Sequence, residues 1–382
     1  MKQGWEIKKL GEVFDLQMGK TPNRDNRSYW GGNNIWISIA DIKNKYIDHS
    51  KETITDLALK ESNMKKVESG TVIMSFKLTV GRTAITATDL YTNEAIMAFI
   101  PKDNYNILPD YTYYFLKHYK WTNSNKAVMG ITLNKKVISD SYFEFPSRAE
   151  QERIVGELDC LSGIIANKRA QLRELDTLAQ SIFYTMFGDP ISNDKGWQTK
   201  KLPELCSVIS TGITYKPENV SDDGIIVLRS GNIQNSQFVL DDIVRINMSL
   251  KESQYVQQND ILMCSRNGSA RLVGKVALVP NLTERMSWGA FMTIIRSEFY
   301  HFLFQYFQLP AFRQQLIKTK TSTVNQITIG MLKDIFVPIP PIDLQQQFAE
   351  KIENIERQKE LITKSIKETE DLFNSRMSYY FD

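Results

Sequence analysis

From Ile154 onward, apolar side chains recur at Leu158, Leu161, Ile165, Leu172, Leu175, Ala179, Ile182 and Met186, in steps of four and three, with Lys168 as the one basic interruption. That spacing is the seam of a heptad helix, apolar at two positions in seven. The rhythm returns at Phe348, Ile352, Ile355, Lys359, Ile362, Ile366, Thr369, Phe373, Arg376 and Tyr380, with a lysine at the same point. Neither segment contains a proline, so both are expected as long helices. A seam this narrow is not buried alone, and the two helices are expected to pair as an antiparallel coiled coil. Because each leads away from its own globular part, such a pair would place those parts at opposite ends.

Between the helices the period changes. TVIMSF, residues 71 to 76, is a short continuous apolar run of strand type that ends in a basic, glycine-containing turn, Lys77 to Arg82. DILMCS, residues 260 to 265, does the same and ends in Arg266 to Lys275. The two stretches align without a gap from Val67 and Val256 to Lys77 and Arg266, then rejoin at Gly81 and Gly274. Trp5 before Lys8-Lys9-Leu10 matches Trp197 before Lys200-Lys201-Leu202, and Ile39-Ala40-Asp41-Ile42 matches Ser230-Gly231-Asn232-Ile233. Pro146 precedes a helix start at Gln151 as Pro340 precedes one at Gln345, and Ser181 to Phe187 aligns with Ser375 to Phe381. A repeat on this scale decides the architecture. The expected fold is mixed α+β: globular parts at 1–147 and 191–342, each followed by a long helix at 148–190 and 343–382, with a pseudo-two-fold internal repeat.

Composition narrows the function classes. The chain has 382 residues, ample for two cores, and a net charge of only +3. Its distribution is more informative: each globular part carries +4, while the helical segments carry −2 and −3. Basic globular parts suit a polyanionic partner. No secretory apolar segment follows Met1 and no apolar run is long enough to span a bilayer, so a cytoplasmic protein without membrane contact is expected. Cys160, Cys206 and Cys264 are odd in number and lack metal-ligand spacing, which favours free thiols.

Catalytic constellations do not emerge. His49, His118 and His301 are far apart, with no HExxH or Cys/His cluster, no phosphate loop, no GxGxxG after a strand and no GxSxG elbow. Asp222-Asp223 and Asp241-Asp242 lie in turn-forming surroundings. Binding residues are easier to nominate. Lys77, Arg82, Arg266, Arg271 and Lys275 combine cations with glycines that allow close backbone approach. Arg229, Asn232 and Asn267 are side chains of the kind that make bidentate contacts to base edges. Trp30, Trp36, Tyr113, Tyr114 and Phe115 are expected in the core.

Taken together, the alternation of globular part and long helix, the Trp5 and Trp197 openings, the proline-before-helix junctions and the closings Met186-Phe187-Gly188-Asp189-Pro190 and Tyr380-Phe381-Asp382 resemble the DNA-specificity subunit of type I restriction-modification systems. The resemblance covers essentially the whole chain. It adds Lys20 and Thr21, in a Gly-Thr-Pro-like loop, and two late polar loops, Gly130-Ile131-Thr132 and Thr321-Ser322-Thr323, to the DNA-facing candidates. The first unit departs from the family pattern at Phe76 and Leu78.

The resemblance implies two target-recognition domains, each reading half of a split double-stranded DNA site, and helices that set the spacer and hold two methyltransferase subunits. Two restriction and translocase subunits complete such a complex. The subunit itself would be non-catalytic and bind no cofactor, the partners using S-adenosylmethionine, ATP and Mg. A fused methyltransferase-nuclease with the same recognition domains would need an Asn-Pro-Pro-Tyr-like motif and a cofactor loop, and neither occurs. A coiled-coil scaffold without DNA affinity would account for the helices and leave the duplicated basic turns unexplained.

Overall fold

The computed structural model describes residues 4–121, 125–127, 130–318 and 325–382. The chain forms two compact units, residues 1–168 with 364–382 and residues 169–363. Neither unit ends where a globular part gives way to a helix. Each takes in a portion of both long helices.

In the first unit, β1 (Glu6–Lys9), β2 (Phe14–Met18), β3 (Tyr46–Ile47), β4 (Val72–Ser75), β5 (Lys77–Leu78), β6 (Thr83–Thr86) and β7 (Ile96–Pro101) precede helix α1 (Pro109–His118). Then come β8 (Gly130–Thr132), β9 (Tyr142–Phe145) and helix α2 (Arg148–Phe187). The central sheet has the order β2-β7-β4-β6-β3. All four residues of β4 are buried, as expected of a continuous apolar run between two covered faces. β1 pairs antiparallel with β9, Glu6 opposite Phe145, which ties the start of the unit to the entry of α2.

The second unit repeats this plan. β10 (Gln198–Lys201), β11 (Val208–Thr211), β12 (Ile261–Cys264), β13 (Val276–Leu278) and β14 (Met292–Arg296) lead to helix α3 (Tyr300–Gln308), β15 (Phe336–Ile339) and helix α4 (Ile342–Phe381). The sheet order is β11-β14-β12-β13, and β10 pairs with β15, Gln198 opposite Ile339. The helix entries match as well. Gln151 donates from Nε2 to the Pro146 carbonyl at 3.0 Å, and Gln345 to the Pro340 carbonyl at 2.8 Å, both side chains buried. A buried amide satisfying an otherwise orphaned carbonyl makes each junction rigid.

Within each unit the helix segments pack antiparallel. In the first, Ile154 and Leu158 are buried in one cluster with Met377 and Tyr380, and Phe373 packs against it. In the second, Ala179, Phe183 and Phe187 share a cluster with Phe348, Ile352 and Ile355, with Leu175 against it. Ile366 is buried, while Leu161, Ile165, Leu172 and Ile362 are half-buried along the same stripe.

Three seam positions differ from the heptad expectation. Phe183 and Phe187 are buried where Ile182 and Met186 were expected to lead, and Met377 is buried where Arg376 was expected. A helix of 3.6 residues per turn drifts ~20° per heptad against a strict seven-residue repeat, so the buried stripe moves over by one position near the helix ends. The lysines also do not occupy matched points. Gln151 and Gln345 are 194 positions apart, but Lys168 and Lys359 are 191 apart, one seam step out of phase. Lys168 donates to the hydroxyls of Ser365 and Thr369 at 2.6 and 3.0 Å. Lys359 is instead paired with Asp176 and Glu356 at 2.9 and 3.0 Å.

Trp36, Tyr113, Tyr114 and Phe115 are buried as expected, and Trp30 is half-buried edge-on to Trp36. Cys160, Cys206 and Cys264 are free. Among the described residues no helix is long and apolar enough to cross a membrane.

Candidate nucleic-acid interface

The same backbone hydrogen bonds build one frame in each unit. Gly19 and Lys20 donate to the carbonyls of Ile96 and Thr92 at 3.2 and 2.8 Å, as Gly212 and Ile213 donate to those of Met292 and Trp288 at 3.1 and 2.8 Å. A Cβ at Gly19 would collide with the Thr92 carbonyl and one at Gly212 with the Trp288 carbonyl, so both loops require glycine. Gly81 donates to Ser75 and Gly274 to Cys264, at 2.9 and 2.8 Å, with φ of 88° and 84°. Leu133 donates to the Phe76 carbonyl and Ile327 to that of Ser265, at 2.8 and 2.7 Å. These bonds make Lys77 the counterpart of Arg266, Arg82 of Lys275, Ala95 of Phe291, and Thr132 of Gln326. The late polar position of the second unit is thus Gln326; Thr321, Ser322 and Thr323 lie outside the described residues.

In the second unit the frame encloses an open cleft of about 1170 Å³. Arg229, Arg266 and Asn267 line it together, with Tyr215, Asp242 and Phe291. Arg266 is exposed, its guanidinium 5.3 Å from the centre of the Phe291 ring, and makes no ion pair among the described residues. Arg229 is held by Asp242 at 2.8 Å. Asn267 donates to the Ser230 hydroxyl at 3.1 Å and accepts from the amide of Ser269. Arg271 is exposed on the short helical turn Ala270–Leu272, beside the cleft lining and not part of it.

Two expected contact residues are supports. Asn232 is 1 % exposed; its Oδ1 accepts from the Arg229 amide at 2.8 Å and its Nδ2 donates to the carbonyls of Val239 and Asp242. Its amide is fully engaged, leaving nothing to read a base with. Lys275 donates to the carbonyls of Ser230 and Ile233, and burial lowers its pKa below the ordinary lysine value. Together they fasten the turn that starts at Arg229 and presents its side chain to the cleft.

The first unit dresses this frame differently. Lys20 is exposed, but the Thr21 hydroxyl donates to the Glu94 carboxylate and is occupied. Lys77 is half-buried with its ammonium 5.3 Å from the Phe76 ring, its backbone paired with Thr132. Leu78, the departure seen in the sequence, is 58 % exposed with φ of 64°. Arg82 reaches the Ile39 carbonyl at 3.5 Å, as Lys275 reaches that of Ser230, and it lines a smaller cleft of about 470 Å³ with Lys43, Tyr113 and Lys117.

Phe291, Tyr215, Lys43 and Lys117 were not nominated by sequence reasoning. Exposure of an aromatic such as Phe291 leaves no trace in a single sequence. Among the described residues no group of His, Cys, Asp or Glu could hold a metal ion.

One backbone frame used twice, rimmed each time by cations, defines a duplicated α+β binding protein for a polyanion. Comparison gives the particular family: the chain belongs to the type I restriction modification DNA specificity domain family, whose model matches residues 2–177 and again residues 194–371. It is a DNA-recognition subunit. It is 23% identical over 375 residues to the type I restriction enzyme MjaIX specificity subunit of Methanocaldococcus jannaschii, covering 90% of this chain and 85% of that one. It is 31% identical over 170 residues to the EcoKI specificity subunit of Escherichia coli, an alignment covering 42% of this chain and 36% of that protein. Among solved structures, the S subunit from M. genitalium superposes with a TM-score of 0.52 at 12% identity, covering 98% of this chain and 95% of the other. A chain solved in work on complex assembly and conformational transition of the type I R-M system gives 0.58 at 17% identity, covering 100% and 98%. At these identities the structural likeness speaks for the fold.

Proposed function

We propose that each unit reads one half of a bipartite double-stranded DNA site, and that α2 and α4 set the spacer and seat two methyltransferase subunits. The full complex adds two restriction subunits. In this reading the chain is non-catalytic and holds no cofactor; its partners use S-adenosylmethionine to methylate adenine, and ATP with Mg to translocate and cleave. The observation that carries the proposal is the duplicated frame with unlike side chains: matched backbone bonds flank Lys77 in one unit and Arg266 in the other. A reader of two different half-sites needs that combination of constant scaffold and variable surface. The exposure of Arg266, which makes no ion pair among the described residues, supports it further, since a cation held for structure alone normally finds an acceptor.

The test is methylation-sensitive sequencing of the host genome, with and without this chain. Loss of one bipartite methylated motif on deletion is expected. A methylome unchanged by deletion, together with no salt-dependent retention of duplex DNA by the purified complex, would leave only a scaffold.

A further inference from the structure

We infer that the half-site read by the second unit contains a guanine recognised by Arg266, with Phe291 as the platform that aims the guanidinium. This rests on the reading of the units as half-site readers and adds the base. The backbone amide of Arg266 donates to the carbonyl of Phe291 at 3.0 Å, so the residue is pinned to the one whose ring lies under its own side chain. Ring and guanidinium are 5.3 Å apart, and the ring is 58 % exposed. An aromatic face beneath a guanidinium restricts it to one plane while leaving its edge donors unused. Those donors form the rigid fork that matches O6 and N7 of guanine in the major groove, the commonest specific contact of an arginine.

Electrostatics sharpen the assignment. Arg229, in the same cleft, is partly neutralised by Asp242, whereas Arg266 has no anionic partner among the described residues. A partly neutralised arginine suits positioning, and an unpaired one with an ordered plane suits reading. The first unit has Lys77 and Ala95 at the corresponding positions, an ammonium without a fork, whose ring contact is its chain neighbour Phe76 and not a residue at the Phe291 position. The two half-sites therefore differ in how this position is read, and the target is not a palindrome.

The experiment is a binding selection on the full chain with its methyltransferase partner, using duplexes randomised over ~30 base pairs, for the natural chain, Arg266→Ala, Arg266→Lys and Phe291→Ala. A two-part motif is expected, with one guanine whose preference falls about ten-fold or more in Arg266→Ala and Phe291→Ala, while the other half-site is unchanged. Replacing that guanine with 7-deazaguanine should weaken the natural chain by a similar factor and leave Arg266→Ala unaffected. A uniform loss over all sequences with a flatter salt dependence would make Arg266 a phosphate contact and overturn the inference. An intact guanine preference in Arg266→Ala would overturn it too. Retention of no duplex by any variant would sink the half-site reading beneath it.

Discussion

The ammonium of Lys275 lies 2.6 Å from the carbonyl oxygen of Ile233, and it also reaches that of Ser230, across the base of the turn that carries Arg229. The residue looks like a DNA contact in the sequence and is a brace in the fold. Lys275→Ala is expected to destabilise the second unit by ~1–3 kcal/mol, because two carbonyls lose a charged donor. Denaturant unfolding measures this. A wild-type midpoint combined with an altered base preference would return Lys275 to the interface.

Lys359, buried in the second helical segment, is paired with Asp176 and Glu356. Burial works against its charge, but the two carboxylates outweigh it and the pKa is raised. Removing a partner should cost more than removing the lysine together with its charge. Asp176→Ala is expected to destabilise by ~1–2 kcal/mol, reduced because Asp176 is partly solvated, and Lys359→Met by less. Thermal melts of both variants check the order, which reverses if the pair is a net source of stability. With the folded pKa above the unfolded value, the pair's contribution is complete below the ordinary lysine pKa and is lost only as pH rises through the folded one. Melts at neutral and mildly acidic pH should therefore show the same difference between variants.

The three thiols should react unequally. Burial pushes Cys206 up to about 12 and raises Cys264 as well, so both are neutral at pH 8, while Cys160 is exposed. The thiolate is the nucleophile. Iodoacetamide is expected to modify Cys160 alone in the folded chain, and Cys160→Ser should abolish that fast phase. Rapid labelling of Cys264 would contradict the buried strand in which it lies.

Each long helix has 40 residues, and α-helix rises ~1.5 Å per residue. One heptad inserted after Lys168 and another after Ile366, on either side of the Lys168 to Ser365 contact, keeps the seam in phase. It adds ~10 Å of helix, about three base pairs at ~3.4 Å each. The methylome of a strain carrying this variant should show the same half-sites with a longer spacer. New half-sites with the old spacer would assign the spacing to the globular parts.

Periodicity and duplication were enough, without any coordinates, to establish two units, two long helices and the positions of the basic turns. These are local properties: a heptad seam, a buried strand and a glycine turn each follow from residues adjacent in the chain. The equivalence of Gly81 with Gly274, and of Gln151 with Gln345, was legible for the same reason. Which polar groups face outward was decided by tertiary structure alone. Asn232 and Lys275 have the chemistry of base and phosphate readers, but carbonyls brought near by the fold engage both side-chain donors of Asn232 and two of the three of Lys275. Arg266 has the same chemistry and is without an ion pair among the described residues, where Phe291, 25 positions later in the chain, offers it a ring instead of an acceptor. A sequence specifies what a side chain is able to bind. Only the folded chain determines whether the protein has already bound it.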